Sequence, residues 1–375
     1  MKFRVFSVLL FVLLLWGCAS KKQAPTTTSP ADVEVYIPTP IYDPLQELVN
    51  NMSVEELVGQ LFLARYPGME EAITAQSQYH IGGWVLFGVD TRNQTPASLR
   101  AEIDQLQAQS AVPLIIAVDE EGGSVTRVSG YSQYRDVQFP SLRTLYQQGG
   151  LDLVLQTEEE KCILLKSLGI NTNLAPVCDI ATDQNAFMYS RSIGLSPQDT
   201  ATCIASMVEL MSSEGVGSVL KHFPGYGNNI DTHTGTATDH RTLDQLQQND
   251  LVPFQAGMDA GCGAVMVTHT IITSIDPELP ASLSPAVVDY LRKDMEFQGV
   301  IMTDDLAMQA ITDIYGVEEA AVMAVEAGID VLCCSEYEVQ YQAVLQAVKD
   351  GRISVPTLMK AAMRVIQWKH ALGLI

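Results

Sequence analysis

Ser218-Val219-Leu220-Lys221-His222-Phe223-Pro224-Gly225-Tyr226-Gly227 reads as a short apolar strand that runs into Lys and His and breaks at Pro-Gly. Lysine and histidine beside a buried strand need partners or a task. So short and apolar a run suits a strand buried on both faces, as in a parallel sheet. The fifth run, Ser218–Lys221, has seven companions: Leu61–Arg65, Trp84–Phe87, Leu114–Val118, Thr172–Ala175, Ala264–Thr268, Val300–Thr303 and Asp330–Cys333. Helix signals fill the gaps. Ser53 with Glu56 makes a capping box. Thr95-Pro96, Ser196-Pro197 and Ser284-Pro285 each set a cap before a proline at the first helical position. Gly215, Gly299 and Gly328 are expected to end helices just before strands. Eight rounds of strand and helix predict an α/β fold, a (β/α)8 TIM barrel in a single domain spanning 44–375. A doubly wound sheet shares the local pattern, but no Gly-x-Gly-x-x-Gly or Gly-Lys-Ser/Thr follows an early strand.

The 375 residues are 47% apolar, enough for a large core, and carry a formal net charge of -22. That balance argues against a nucleic-acid partner, which needs clustered Lys and Arg. Lys2 and Arg4 precede an apolar run from Val5 to Trp16, too short to span a membrane comfortably. The run ends in Leu15-Trp16-Gly17-Cys18, which resembles a bacterial lipoprotein signal. That resemblance implies a signal peptide over 1–18, lipidation of Cys18, and an exported protein anchored to a membrane on its periplasmic or cell-surface side. An uncleaved anchor or a plain secretory signal are the alternatives, and each also exports the domain. Residues 19–43, rich in Lys, Thr, Pro and Ser, read as a flexible linker. Beyond Cys18, six cysteines show no Cys-x-x-Cys spacing and read as small buried hydrophobes, although export permits disulfides.

In a barrel the residues just past the strand C-termini form the active-site face. Asp119-Glu120-Glu121 follows the third run, Asp179 and Arg191 lie beyond the fourth, and Lys221-His222 end the fifth. His269 ends the sixth, and Asp304-Asp305 the seventh. Titratable residues recurring at one end of separate strands read as a site. Asp231-Thr232-His233 adds a carboxylate placed to orient an imidazole and raise its basicity. Each residue also has a plain structural reading. Asp304 would cap a helix starting at Asp305, the two Asp residues would divide the roles, and Asp119 with Arg127 would be only an ion pair. Glu120 and Glu121 would merely support their loop, and His269 would be a packing residue. His222, Asp231, His233 and His269 are zinc-ligand types, but no His-x-His lies on the first strand, so no metal is expected.

Five segments then occur in family order: Asp119-Glu120-Glu121-Gly122-Gly123-Ser124-Val125-Thr126-Arg127; Asn173-Leu174-Ala175-Pro176-Val177-Cys178-Asp179; Lys221-His222-Phe223-Pro224-Gly225; Asp231-Thr232-His233; and Val300-Ile301-Met302-Thr303-Asp304-Asp305-Leu306. Together they resemble glycoside hydrolase family 3, in its β-N-acetylglucosaminidase branch, from about Asn51 to Ile375. The resemblance implies a retaining mechanism with no cofactor. Asp304 would be the nucleophile that forms a glycosyl-enzyme, and His233 the general acid/base, oriented by Asp231. Asp119, Arg127, Arg191, Lys221 and His222 match positions that hold the non-reducing sugar. The His233 segment lies inside the barrel, whereas the β-glucosidase branch takes its acid/base from an added domain.

The chemistry is consistent with those roles. A nearby Lys or Arg keeps a nucleophilic carboxylate ionised, and imidazole titrates near neutrality. The glycine-rich stretch 225–236 would let His233 move into and out of the site. The expected substrate is a GlcNAc-containing oligosaccharide or muropeptide. A phosphorylase, in which phosphate intercepts the same intermediate, and a non-catalytic sugar-binding lipoprotein remain alternatives.

Overall fold

A computed structural model describes residues 43–229, 235 and 237–375. The signal, Cys18 and all but the last residue of the linker lie outside them, as do Asp231 and His233. Among the described residues ten strands occur in chain order: β1 (Phe62–Arg65), β2 (Gly83–Leu86), β3 (Ile115–Val118), β4 (Thr172–Asn173), β5 (Gly217–Phe223), β6 (Thr238–Asp239), β7 (Ala264–Val267), β8 (Ile271–Ile272), β9 (Val300–Thr303) and β10 (Leu332–Cys334). Eight form one parallel sheet in the order β10-β1-β2-β3-β4-β5-β7-β9. A parallel bridge between Met302 and Val331 joins its two edges, so the sheet closes into the predicted (β/α)8 barrel. The small pair β6–β8 lies outside this ring and was not expected from the sequence.

Both faces of the strands are buried, and side chains alternate between two apolar layers. Leu63, Val85, Ile115, Ala117, Val219, Met266 and Met302 pack together in one cluster. Phe62, Ala64, Trp84, Ile116, Leu220 and Ile301 pack in another with residues from the surrounding helices. Trp368, on the helix Val355–Ala371, joins the first cluster, and its indole lies against Gly263 at the start of β7. Ser53, Thr95, Ser196 and Ser284 each accept a backbone N–H as helix caps, the last three with proline in the first turn.

Three strand boundaries differ from expectation for physical reasons. β4 stops at Asn173 because Pro176 has no N–H to donate; the ladder resumes as a bridge between Val177 and Lys221. β5 extends to Phe223 through a register shift against β7 between Leu220 and Phe223, so Lys221 and His222 lie within the strand. β10 begins only at Leu332, because Asp330 is buried outside the ladder. Its carboxylate accepts from the Ile301 N–H at 2.9 Å and from Arg292 and Arg364. Gly215 and Gly328 follow helices with positive φ, as expected, whereas Gly299 instead permits close packing against Phe297 and the Gly263 carbonyl.

Lys369 is fully buried, and Gln60 Oε1, at 2.8 Å, accepts its ammonium. Burial pushes its pKa down to about 7 from an ordinary 10.5. The folded state therefore binds fewer protons than the unfolded state between those values, and stability rises with pH across that window. Lys369→Met removes the buried charge. Denaturant titrations should show wild-type stability climbing between pH 7 and 10 and the variant's staying flat; parallel curves would refute this reading.

Candidate active site

The C-terminal ends of the barrel strands open into a cavity of about 720 Å3, lined by Asp119, Arg127, Arg191, Lys221, His222 and Asp304 among others. Six of the eight site residues predicted from sequence therefore meet here; Asp231 and His233 lie outside the described residues.

Lys221 is the hub. Its Nζ donates to Asp119 Oδ1 at 2.6 Å and lies 2.7 Å from Glu121 Oε1. Arg191 grips Glu121 with two parallel hydrogen bonds of 2.9 and 2.7 Å. Burial would push the Glu121 carboxyl up, but Lys221 and Arg191 outweigh it and hold the group well below the usual carboxylate range. Burial likewise works against the Lys221 ammonium, and Asp119 with Glu121 more than offset it, raising its pKa. Glu121, Lys221 and Arg191 therefore stay charged across the neutral range.

His222 is fixed on both sides. Asp179 Oδ2 accepts from its backbone N–H at 3.1 Å and lies 2.8 Å from Nδ1, so Nδ1 carries the proton. Nε2 faces Arg191 Nη2 at 3.2 Å. The other Asp179 oxygen accepts from the Tyr226 N–H at 2.7 Å. His269 is buried away from the cavity lining, with Nδ1 on Ser282 Oγ at 2.7 Å and Nε2 on the Asp305 carbonyl at 2.9 Å. Its role is packing and support. Both ring nitrogens of His222 and of His269 thus face protein partners, which leaves neither poised as a zinc ligand.

The adjacent carboxylates divide clearly. Asp305 Oδ1 accepts from the backbone of Ala307 and Ser335, and Oδ2 from the Ser335 hydroxyl. Asp304 sits at the end of β9, lines the cavity together with Asp305, and accepts from the Asp305 N–H at 2.9 Å. It does not cap a helix: the next one is Gln309–Tyr315, with Met308 at its cap. Arg127 lies 3.7 Å from Asp119, a looser pair than Lys221 makes. Its guanidinium stacks over the Phe87 ring at 5.4 Å, and its buried Nε makes no hydrogen bond among the described residues. Glu120 acts as a loop organiser, accepting from the backbone of Arg127, Val128 and Ser129.

Sequence reasoning left Glu121 with only a supporting role and gave Asp179 none. The signal for both was present, since each ends a predicted strand beside residues that were chosen. What it lacked was the pairing, which joins Glu121 to Arg191 across 70 positions and Asp179 to Tyr226 across 47.

The profile of the glycosyl hydrolase family 3 N-terminal domain matches residues 53–368. The chain belongs to glycosyl hydrolase family 3. Among its relatives in this family, a beta-hexosaminidase of Stenotrophomonas maltophilia is 36% identical over 286 residues, 74% of this chain and 83% of that protein. One from Nitrosomonas eutropha is 34% identical, over 68% and 74% of the two chains. Among solved structures, a family 3 β-N-acetylglucosaminidase from a Paenibacillus species superposes with a TM-score of 0.80 at 31% identity. That match covers 86% of this chain and 63% of the other. LpqI of M. tuberculosis gives a TM-score of 0.79 at 28% identity, over 87% and 96%. This family 3 chain is accordingly a glycosidase.

Proposed function

We propose that this family 3 enzyme is a retaining β-N-acetylglucosaminidase that removes terminal non-reducing β-linked GlcNAc from wall-derived or related oligosaccharides. Asp304 attacks the anomeric carbon while His233 protonates the departing glycosidic oxygen, giving an aspartyl ester and a free aglycone. His233, oriented by Asp231, then takes a proton from water, which displaces Asp304 and releases GlcNAc with its configuration retained. Asp119, Lys221, Arg191, His222 and Arg127 hold the sugar hydroxyls. The observation that carries the reading is the charged cavity at the end of β9: Asp304 and Asp305 both line it, and Asp305 accepts three hydrogen bonds that tie the segment after β9 to Ser335. The names of the relatives supply the sugar.

A chromogenic β-N-acetylglucosaminide tests the activity, and a fluorinated N-acetylglucosaminyl donor that slows deglycosylation tests the intermediate. The label should map to the peptide containing Asp304; a tag on Asp305 overturns the assignment. Phosphate-dependent release of GlcNAc 1-phosphate would make the enzyme a phosphorylase instead. The same proposal has the enzyme exported and anchored through lipid on Cys18, with loss of palmitate labelling in Cys18→Ser as its check.

A further inference from the structure

Beside the cavity lies a second charged cluster that no step of the proposed reaction uses. Arg241, two residues past β6, is its centre. Its Nε donates to Asp239 at 2.8 and 3.0 Å, Nη1 to Asp250 Oδ2 at 2.6 Å, and Nη2 to the Gly225 carbonyl at 2.8 Å. One planar guanidinium thereby joins three segments, which a single ammonium point charge would not do. Asp239 belongs to β6, which is paired with β8, so this side of the clamp is tied into the small sheet. Asp250 precedes the helix Leu251–Asp259 without capping it, and its Oδ1 is buried with no hydrogen bond among the described residues.

The turn 225–227 rests directly on this pair. A Cβ on Gly225 would lie 2.7 Å from Asp250 Oδ1, and one on Gly227 would lie 2.7 Å from Arg241 Cζ. Both glycines also have positive φ, so the turn is shaped by the clamp beneath it as well as by its own backbone. From the other side, Asp179 holds Tyr226 and His222. The stretch that carries Asp231 and His233 in sequence leaves from this turn and returns at Asp239–Arg241, so Arg241 binds its two ends to each other.

We propose that Arg241 is a positioning residue for proton transfer: by tying the Gly225 carbonyl to Asp239 and Asp250, it fixes the spacing between the ends of the segment that bears His233. The inference rests on the reading of His233 as general acid/base. Its consequence depends on the leaving group. A dinitrophenolate departs without a proton, whereas a sugar alkoxide needs one, and an ångström of misplacement costs on the order of 10²-fold. Arg241→Ala should therefore lose about 10–10²-fold in kcat/KM on chitobiose and under about threefold in kcat/KM on 2,4-dinitrophenyl β-GlcNAc, because kcat/KM reports formation of the aspartyl ester, the step in which the leaving group departs.

The test is a series of aryl and sugar β-N-acetylglucosaminides assayed on wild type, Arg241→Ala and Arg241→Lys. A steeper dependence of kcat/KM on leaving-group pKa in Arg241→Ala, with Arg241→Lys between it and wild type, supports the inference. An equal loss on every substrate, or none, overturns it. Should Arg241→Ala fail to fold, Arg241→Lys and Asp250→Asn carry the same comparison. Failure of the underlying reading is separate: wild type would then hydrolyse no member of the series, or His233→Ala would show no leaving-group dependence.

Discussion

Asp304→Asn should lower turnover of a nitrophenyl β-N-acetylglucosaminide on the order of 10⁴-fold or more, because the amide cannot form the glycosyl ester that splits the reaction into two easier steps. Each factor of ten corresponds to about 1.4 kcal/mol of barrier, so the loss amounts to about 5 kcal/mol. The Asp305 N–H donates to the Asp304 carboxylate, and an amide oxygen accepts it equally well, so that contact survives the substitution. Asp305→Asn should behave in the opposite way. Its carboxylate ties the start of the segment after β9 to Ser335 beyond β10, and an amide cannot accept at both of its ends. That variant should lose stability by about 1–3 kcal/mol and keep measurable turnover. Azide separates the roles further. With Asp304→Gly it should enter on the vacated face and give the α-glycosyl azide, and with His233→Gly it should capture the aspartyl ester and give the β-azide. If Asp305→Gly yields the α-azide and Asp304→Gly does not, the nucleophile has been misassigned.

The features legible in the sequence were those set locally. Strand existence followed from short apolar runs, and helix starts from Ser/Thr-Pro and Ser-x-x-Glu, because propensity and capping act within one turn. The site's location followed from topology: in a parallel barrel every strand ends at the same face, so Asp119, Lys221 and Asp304 had to converge once the eightfold alternation was read. The residues by themselves left Asp304 and Asp305 undivided, and the resemblance to family 3 alone chose Asp304. Adjacent carboxylates are alike in sequence, and the bonds that hold Asp305, to Ala307 and to Ser335 thirty residues away, have no local signature. The Arg241 clamp escaped for the same reason, with the added difficulty that its partner on the turn is the Gly225 carbonyl, a backbone group with no side-chain signature. Lys221 itself was chosen because a lysine ending an apolar strand demands a partner, although the sequence left open which carboxylates would answer it.

Those carboxylates make Lys221→Met the substitution with the largest expected effect on stability. The side chain is 2% exposed, and its ammonium is the shared cation between Asp119 and Glu121. Methionine fills a similar length but leaves two acidic groups facing each other across the gap, one of them 5% exposed. Removing one member of a buried ion cluster costs about 3–5 kcal/mol, mostly through the charge left behind. Arg191 moderates the loss at Glu121, and Arg127, 3.7 Å from Asp119, does less there. Neutralising the orphan should therefore restore part of it: Lys221→Met/Asp119→Asn should be more stable than Lys221→Met alone, a positive coupling that two independent sites would not show. The pH dependence follows with its sign. The Glu121 pKa is depressed from 4.5, so its contribution is present above 4.5 and fades as pH falls through its folded value. The Lys221 pKa is raised from 10.5, so its contribution is present below 10.5 and fades above it. Urea unfolding of wild type against Lys221→Met should accordingly show a gap that is level from about pH 5 to 10 and narrows on either side. A gap under about 1 kcal/mol at pH 7 would mean that water takes over the ammonium's place. The charged ring would then be a set of separate ligands for the sugar rather than one preassembled frame.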